Sequence, residues 1–283
     1  MQILKLDGLC KQYPAFRLEN VSFSMEAGTI MGLIGRNGAG KTTTLKSMLH
    51  LVHPDAGTVT ICGLDVDKDE REIRSRIGFV SGGASYYQRK RLRELTDVTK
   101  RFYPGWDDGR YARLVRQFSL DESKRVCELS EGMKVKYQLA AAMSHRAELL
   151  ILDEPTSGLD PVSRDELLQA FLALCEQEGV SILFSTHITS DLDACADTIT
   201  YIQNGRVAVS ADKKTLTGAY LSLQGEDGAC SAALRARLIG ARSHKGELEA
   251  LLRKEDAALA GGFTLAPANL EQIMVHLERE AEV

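Results

Sequence analysis

No stretch of this 283-residue chain holds the roughly 18–20 consecutive apolar residues that a bilayer-spanning helix needs. Its longest unbroken apolar runs, such as Leu149–Leu152 and Leu139–Met143, have the size of core segments. The start of the chain, MQILKLDGLCKQY, lacks the apolar stretch of a secretory signal, so an intracellular location is expected. Six cysteines (Cys10, Cys62, Cys127, Cys175, Cys195 and Cys230) are scattered without a CxxC pair or a Cys/His cluster. That excludes a zinc ribbon or a disulfide framework and fits reduced, mostly buried thiols. A basic excess is also missing: the formal net charge is −4, which gives no footing for general nucleic-acid binding. Aromatic residues are sparse at 6%, but 44% apolar and 26% charged residues describe an ordinary globular chain. The length allows one large domain or two smaller ones.

Along the chain, Ile3–Leu6, Val21–Met25, Thr29–Ile34 and Thr58–Cys62 read as short strands. A helix is expected from about Lys41 to Leu51. From Tyr86 to about Arg146 the pattern turns helical. An apolar strand at Leu149–Leu152, a helix to about Glu178 and a second apolar strand at Val180–Ser185 follow. Apolar strands alternating with helices imply a mainly parallel sheet covered on both faces, with the helical block of about residues 84–147 inserted into it. Asn204-Gly205, between Thr198–Gln203 and Arg206–Val209, is a hairpin turn. The remainder has a different texture. Asn269 caps a last helix with Gln272 three residues on, and Leu270, Ile273, Met274 and Leu277 form its apolar face. Two domains are expected, 1–210 and a small α+β unit over 211–283.

The first chemical signal is Gly35-Arg36-Asn37-Gly38-Ala39-Gly40-Lys41-Thr42, a GxxxxGK[ST] match between an apolar strand and a helix. Its glycines let backbone N–H groups turn inward around phosphate oxygens, and the following helix, through Thr43, adds its positive dipole end. Lys41 then reaches the β- and γ-phosphates, and the Thr42 hydroxyl is placed to ligate Mg²⁺. The complementary carboxylates follow the strand Leu149–Leu152: Asp153 for Mg²⁺, and Glu154 for the water that attacks the γ-phosphate.

Leu129-Ser130-Glu131-Gly132-Met133, about 20 residues before Asp153, resembles the signature motif of ABC-transporter ATPases. Ser157-Gly158-Leu159-Asp160 resembles the family's D-loop, and Ser185-Thr186-His187 resembles its switch-histidine loop. Tyr13 resembles the aromatic that stacks on adenine, with Phe16 competing for that role. The resemblance covers roughly residues 1–210. It implies an α/β P-loop NTPase (RecA-like) core with an antiparallel β subdomain and an inserted α-helical subdomain. It also implies a head-to-tail dimer in which ATP lies between one chain's P-loop and Ser130 and the Gly132 N–H of the other, with His187 on the γ-phosphate. The signature LSEGM and Phe102-Tyr103-Pro104-Gly105-Trp106-Asp107 resemble one bacterial branch: ATP-binding subunits of exporters whose membrane permease is a separate chain.

Two positions depart from the family pattern. Where most members carry a glutamine near Mg²⁺, this chain has Ser81-Gly82-Gly83, with Gln88 the next amide. Glu131 replaces a glycine, so it must turn away from the γ-phosphate or find a cation. The segment Glu70–Arg125 holds 14 Lys and Arg against 8 Asp and Glu. This basic block, within which Gln88–Arg93 opens the helical insertion, suits a solvated face or one turned to the permease and the anionic inner leaflet. The expectation is an ATPase subunit, peripheral on the inner face of the cell membrane through its permease. The rival is a soluble ABC-type ATPase acting in assembly or regulation without transport.

Overall fold

The computed structural model describes residues 1–81 and 87–280. The chain divides into two compact units, Met1–Ser210 and the residues from Ala211 on.

The first unit opens with a long antiparallel hairpin, β1 (Gln2–Tyr13) and β2 (Phe16–Glu26), turned by Pro14-Ala15 so that Tyr13 pairs with Phe16. Then come β3 (Ile30–Ile34), α1 (Lys41–Met48), β4 (Ala56–Ile61) and β5 (Leu64–Asp65). The order β2-β1-β4-β5 makes a four-stranded antiparallel sheet. The strand expected at Ile3–Leu6 thus runs on to Tyr13. Beyond Leu9 its residues are partly exposed and polar, so hydrogen bonding to β2 rather than burial defines it.

Next are α2 (Glu70–Arg76), β6 (Ile77–Ser81), α3 (Leu92–Thr99), α4 (Asp108–Gln117), α5 (Glu131–Ser144) and β7 (Leu149–Asp153). The unit ends with α6 (Pro161–Glu178), β8 (Ser181–Thr186), α7 (Thr189–Cys195), β9 (Thr198–Gln203) and most of β10 (Arg206–Asp212). A six-stranded sheet has the order β10-β9-β3-β8-β7-β6, and β9, β3, β8, β7 and β6 run parallel. Every residue of β3, β7 and β8 is buried, as a sheet covered on both faces requires. Asn204 and Gly205 both take positive φ in the β9–β10 turn, as a two-residue primed turn demands.

The helical block carries α3, α4 and α5. Its last helix also closes on the sheet: a Cβ at Gly78 of β6 would lie 2.5 Å from Ala142 Cβ of α5. Two helices of this unit, α2 and α7, lack a sequence signal. α2 buries only Ile73, and α7 is a single short run after the β8 end, so neither shows a repeating apolar face.

The second unit holds β11 (Tyr220–Glu226), β12 (Leu238–His244), β13 (Glu247–Arg253) and β14 (Thr264–Pro267), in the antiparallel order β12-β13-β11-β14. Leu223, Leu248, Ala250 and Leu252 centre its core, each leucine contributing about 2 kcal/mol through burial. Its last helix, Leu270–Glu280, begins with a reciprocal cap. The Gln272 N–H donates to Asn269 Oδ1 at 2.8 Å, and the Asn269 N–H donates to Gln272 Oε1 at 3.0 Å. Leu270, Ile273 and Met274 are buried on the expected face.

Candidate active site

The site sits where β3, β8 and β7, three adjacent parallel strands, end. β3 leads into the Gly35–Gly40 loop and then α1. A Cβ on Gly35 would lie 2.3 Å from the Ile202 carbonyl oxygen, so the loop starts against β9 with no room for a side chain. Gly40 precedes α1 at φ +115°, a conformation that L-residues avoid, and a Cβ there would meet Phe16 Cζ at 2.9 Å. No side chain caps this helix start, which leaves its first N–H groups to an anion. Arg36, Asn37 and Gly38 are exposed, Ala39 is buried, and Thr42 and Thr43 are half-buried.

Lys41 lies folded under its own loop. It is 5% exposed, and its ammonium donates to the Gly35 carbonyl at 2.7 Å and to the Arg36 carbonyl at 3.3 Å. Glu154 Oε1 stands 3.1 Å from the same nitrogen. A desolvated ammonium with this much local negative charge is ready to exchange one partner for a phosphate oxygen.

The two carboxylates after β7 divide. Asp153 is buried, and its Oδ1 accepts from the Thr42 hydroxyl at 3.1 Å and the Ser185 hydroxyl at 2.7 Å. Ser185, at the end of β8, also accepts the Glu154 N–H at 2.9 Å. One hydroxyl therefore locks both acidic residues to the neighbouring strand. The sequence places Ser185 within a motif without assigning it a role; strand adjacency reveals one. Glu154 has left the strand, with φ +50°, and its Oε2 lies 2.8 Å from His187 Nδ1. Lys41, Thr42, Asp153, Glu154 and His187 thus form one connected cluster.

Ser130 and Gly132 lie at the start of α5 and make none of these contacts among the described residues. The Ser130 hydroxyl caps α5 by accepting the Met133 N–H at 3.2 Å, and Gly132 is buried against Ser163 and Leu159. Glu131 does find its cation: Lys134, one turn along, donates to its carboxylate at 2.6 Å. Gly82 and Gly83 lie outside the described residues. Gln88 is tied through its backbone, its carbonyl accepting the Cys127 N–H at 3.0 Å.

Tyr13 is half-buried, with the Lys11 ammonium 5.9 Å from its ring centre. A depression of about 680 Å³ beside the loop is lined by Phe16, Gly38, Asn204 and Arg206, among others, but not by Tyr13. On its wall, the Arg206 guanidinium hydrogen-bonds Glu19 and holds that carboxyl below its ordinary range.

Among known families, the one described as ABC transporter matches residues 18–157. The ABC transporter ATP-binding protein YtrB of Bacillus subtilis is 30% identical over 207 residues, covering 73% of this chain and 70% of that protein. The Nod factor export ATP-binding protein I of Burkholderia lata is 37% identical over 194 residues, 67% of this chain and 64% of that protein. A solved structure of an ATP-binding subunit of an ABC transporter superposes with TM-score 0.68 at 30% identity, over 76% of this chain and 92% of that one. The chain belongs to the ABC transporter ATP-binding family. It has that family's α/β P-loop NTPase fold and is an ATP-binding, ATP-hydrolysing subunit. No described helix is long and apolar enough to cross a membrane.

Proposed function

We propose that this chain hydrolyses ATP to drive export through a separate transmembrane permease, working as one of two ATP-binding subunits that close head to tail. The observation that carries this reading is the connected cluster Lys41–Glu154–His187 with Thr42–Asp153–Ser185. The triphosphate lies along Gly35–Thr43, with Lys41 on its β- and γ-phosphates. Thr42 and Asp153 offer one neutral and one anionic oxygen 3.1 Å apart, a hard-donor pair that suits Mg²⁺ with water completing its shell. Thr42 and Asp153 would hold the Mg²⁺, which would supply charge neutralisation on the phosphates. Glu154 orients and polarises the attacking water, and His187, fixed to Glu154, faces the γ-phosphate.

Ser130 and Gly132 make no contact with their own cradle among the described residues, which suits a role in completing the shell of a second subunit's ATP. The Glu131 carboxylate between them is paired with the Lys134 ammonium. Loss of the γ-phosphate removes the shared anion, and the two halves part. Tyr13 or Phe16 stacks on the base, and the depression beside Gly38 favours Phe16.

The permease would dock on the helical block, which holds the chain at the inner face of the cell membrane. A groove of about 590 Å³ runs there between Phe79, Val98, Tyr103, Tyr137 and His145. Val98 is 53% exposed and nearby Phe102 76%, large apolar surfaces of the kind a partner covers. Export is supported by the relative named for Nod factor export.

The test is recovery of the full chain from membranes with its bound proteins, together with turnover assays. Co-recovery of a permease, lost on charge reversal of Arg89 and Arg91 while ATP affinity is unchanged, supports the reading. A chain that turns over ATP but never enters the membrane fraction overturns it. Dimerisation of the Glu154→Gln variant at saturating Mg-ATP tests the paired site, and a strictly monomeric variant rules out the homodimer.

A further inference from the structure

Behind the reactive cluster lies a carboxylate with no place in that scheme. Asp191, in α7, is 1% exposed. Its Oδ2 accepts two hydroxyl hydrogen bonds, from Thr156 at 2.6 Å and from Thr186 at 3.2 Å. Burying a carboxylate is costly unless hydrogen bonds or a cation offset it, so a site that keeps one holds it against an apolar alternative. What this one touches is specific. Thr156 lies two residues after Glu154, in the turn where the Ser157 N–H donates to the Glu154 carbonyl at 3.2 Å. Thr186 immediately precedes His187, and its hydroxyl also accepts the Ile188 N–H at 3.0 Å, closing the turn that presents the imidazole. A single oxygen therefore ties together the two turns that carry Glu154 and His187.

Its other oxygen is unusual. Asp191 Oδ1 is buried with no hydrogen-bond partner among the described residues, and so is Arg164 Nε, on the first turn of α6. The two atoms stand 3.9 Å apart, about 1 Å beyond hydrogen-bonding distance. Both are unsatisfied, of opposite charge and facing one another. A small inward movement of the α6 start would join them. That start follows Ser157–Asp160 directly, the turn that resembles the D-loop.

The geometry points to Asp191 as a positioning residue for hydrolysis, holding the Glu154 and His187 turns at a fixed separation and linking them through Arg164 to the start of α6. This rests on the reading above that Glu154 and His187 act at the γ-phosphate. Asp191 meets neither phosphate nor water; it acts through the two turns. Misplacing a reacting group by about 1 Å can cost on the order of 100-fold in rate without weakening ground-state binding.

The experiment uses the full chain with Asp191→Ala, Asp191→Asn and Thr186→Val, measuring ATP affinity, kcat, KM and thermal melting. Asp191→Ala is expected to lower kcat about tenfold or more, with ATP affinity within about twofold of the parent. Asp191→Asn keeps an accepting oxygen of the same shape and should recover most of that loss. Thr186→Val should reproduce part of it. In a His187→Ala background, Asp191→Ala should add much less than it does alone, because its effect runs through that turn.

An unchanged kcat in a folded Asp191→Ala overturns the proposal. A loss of affinity and rate in parallel with melting also overturns it, because that is a purely structural effect. If Asp191→Ala does not fold, the kcat-against-affinity split in Asp191→Asn and Thr186→Val decides. Glu154→Gln is assayed beside them. If Glu154→Gln retains turnover, the reading of the reactive cluster fails whatever Asp191 does. If it is inactive while Asp191→Ala is normal, only the positioning role fails.

Discussion

The Lys41 ammonium and the Glu154 carboxylate form an ion pair of 3.1 Å, and the other oxygen of the same carboxylate holds His187 at 2.8 Å. One side chain thus touches both the group proposed to bind phosphate and the group proposed to face it. Replacing Glu154 with Gln removes the charge but keeps the shape. ATP binding is expected to stay equal or tighten, since the phosphate no longer competes with an anion for Lys41. Turnover should fall by about 10²–10⁴-fold, the range for loss of a general base. Equilibrium dialysis with ATP and single-turnover hydrolysis measure the two effects separately.

Lys134 governs Glu131. Their contact of 2.6 Å pairs a carboxylate that, in the proposed head-to-tail dimer, would otherwise stand alone near the partner's γ-phosphate. Lys134→Ala should weaken ATP-dependent dimerisation of the Glu154→Gln chain several-fold while leaving ATP affinity unchanged. The double change Lys134→Ala with Glu131→Gly should restore it. Analytical ultracentrifugation with Mg-ATP reads the outcome.

Gly40 tests the cradle. At φ +115°, with a Cβ directed onto Phe16 Cζ at 2.9 Å, alanine is strained by backbone and neighbour together. Gly40→Ala should lower stability by about 1–3 kcal/mol and weaken ATP binding more than tenfold. Denaturant titration and nucleotide titration check each part.

His145 makes the groove wall sensitive to acid. It stacks on Tyr103 with ring centres 3.8 Å apart, and burial pushes its pKa below the ordinary 6.5. The folded chain therefore prefers the neutral ring, whereas the unfolded chain gains a proton near pH 6.5. This contribution to stability is intact above that pH and is lost as pH falls from about 6.5 towards the depressed folded value. Melting temperatures at pH 7.5 and 5.5 should converge in His145→Phe relative to the parent.

Features carried by contiguous residues were legible in the sequence. The GRNGAGKT loop, the apolar β7 before Asp153-Glu154, and the Asn269–Gln272 cap each rest on spacing within a few residues. Glu131 needed a cation, and Lys134, three positions on, supplies it within the first turn of one helix. The reach of β1 to Tyr13 was not legible, because polar residues beyond Leu9 are held by cross-strand pairing that no local pattern encodes. Nor were Ser185 and Asp191. Their partners Asp153 and Thr156 lie 32 and 35 positions away, and only the order β8-β7 brings them together. Phe16 reaches the depression beside Gly38 because the two-residue turn sets it opposite Tyr13, a placement fixed by hairpin geometry.

The placing of β8 between β3 and β7 has a consequence during synthesis. The strand leading into the phosphate loop is made by residue 34, yet its two sheet neighbours, β8 and β9, begin only at Ser181 and Thr198. For most of the time this unit takes to leave the ribosome, β3 carries an apolar edge with nothing to pair with. Such an edge invites contact with other nascent chains and with chaperones. The machinery for handling ATP is therefore completed late, once β8 and then β9 are made and can flank a β3 synthesised long before them.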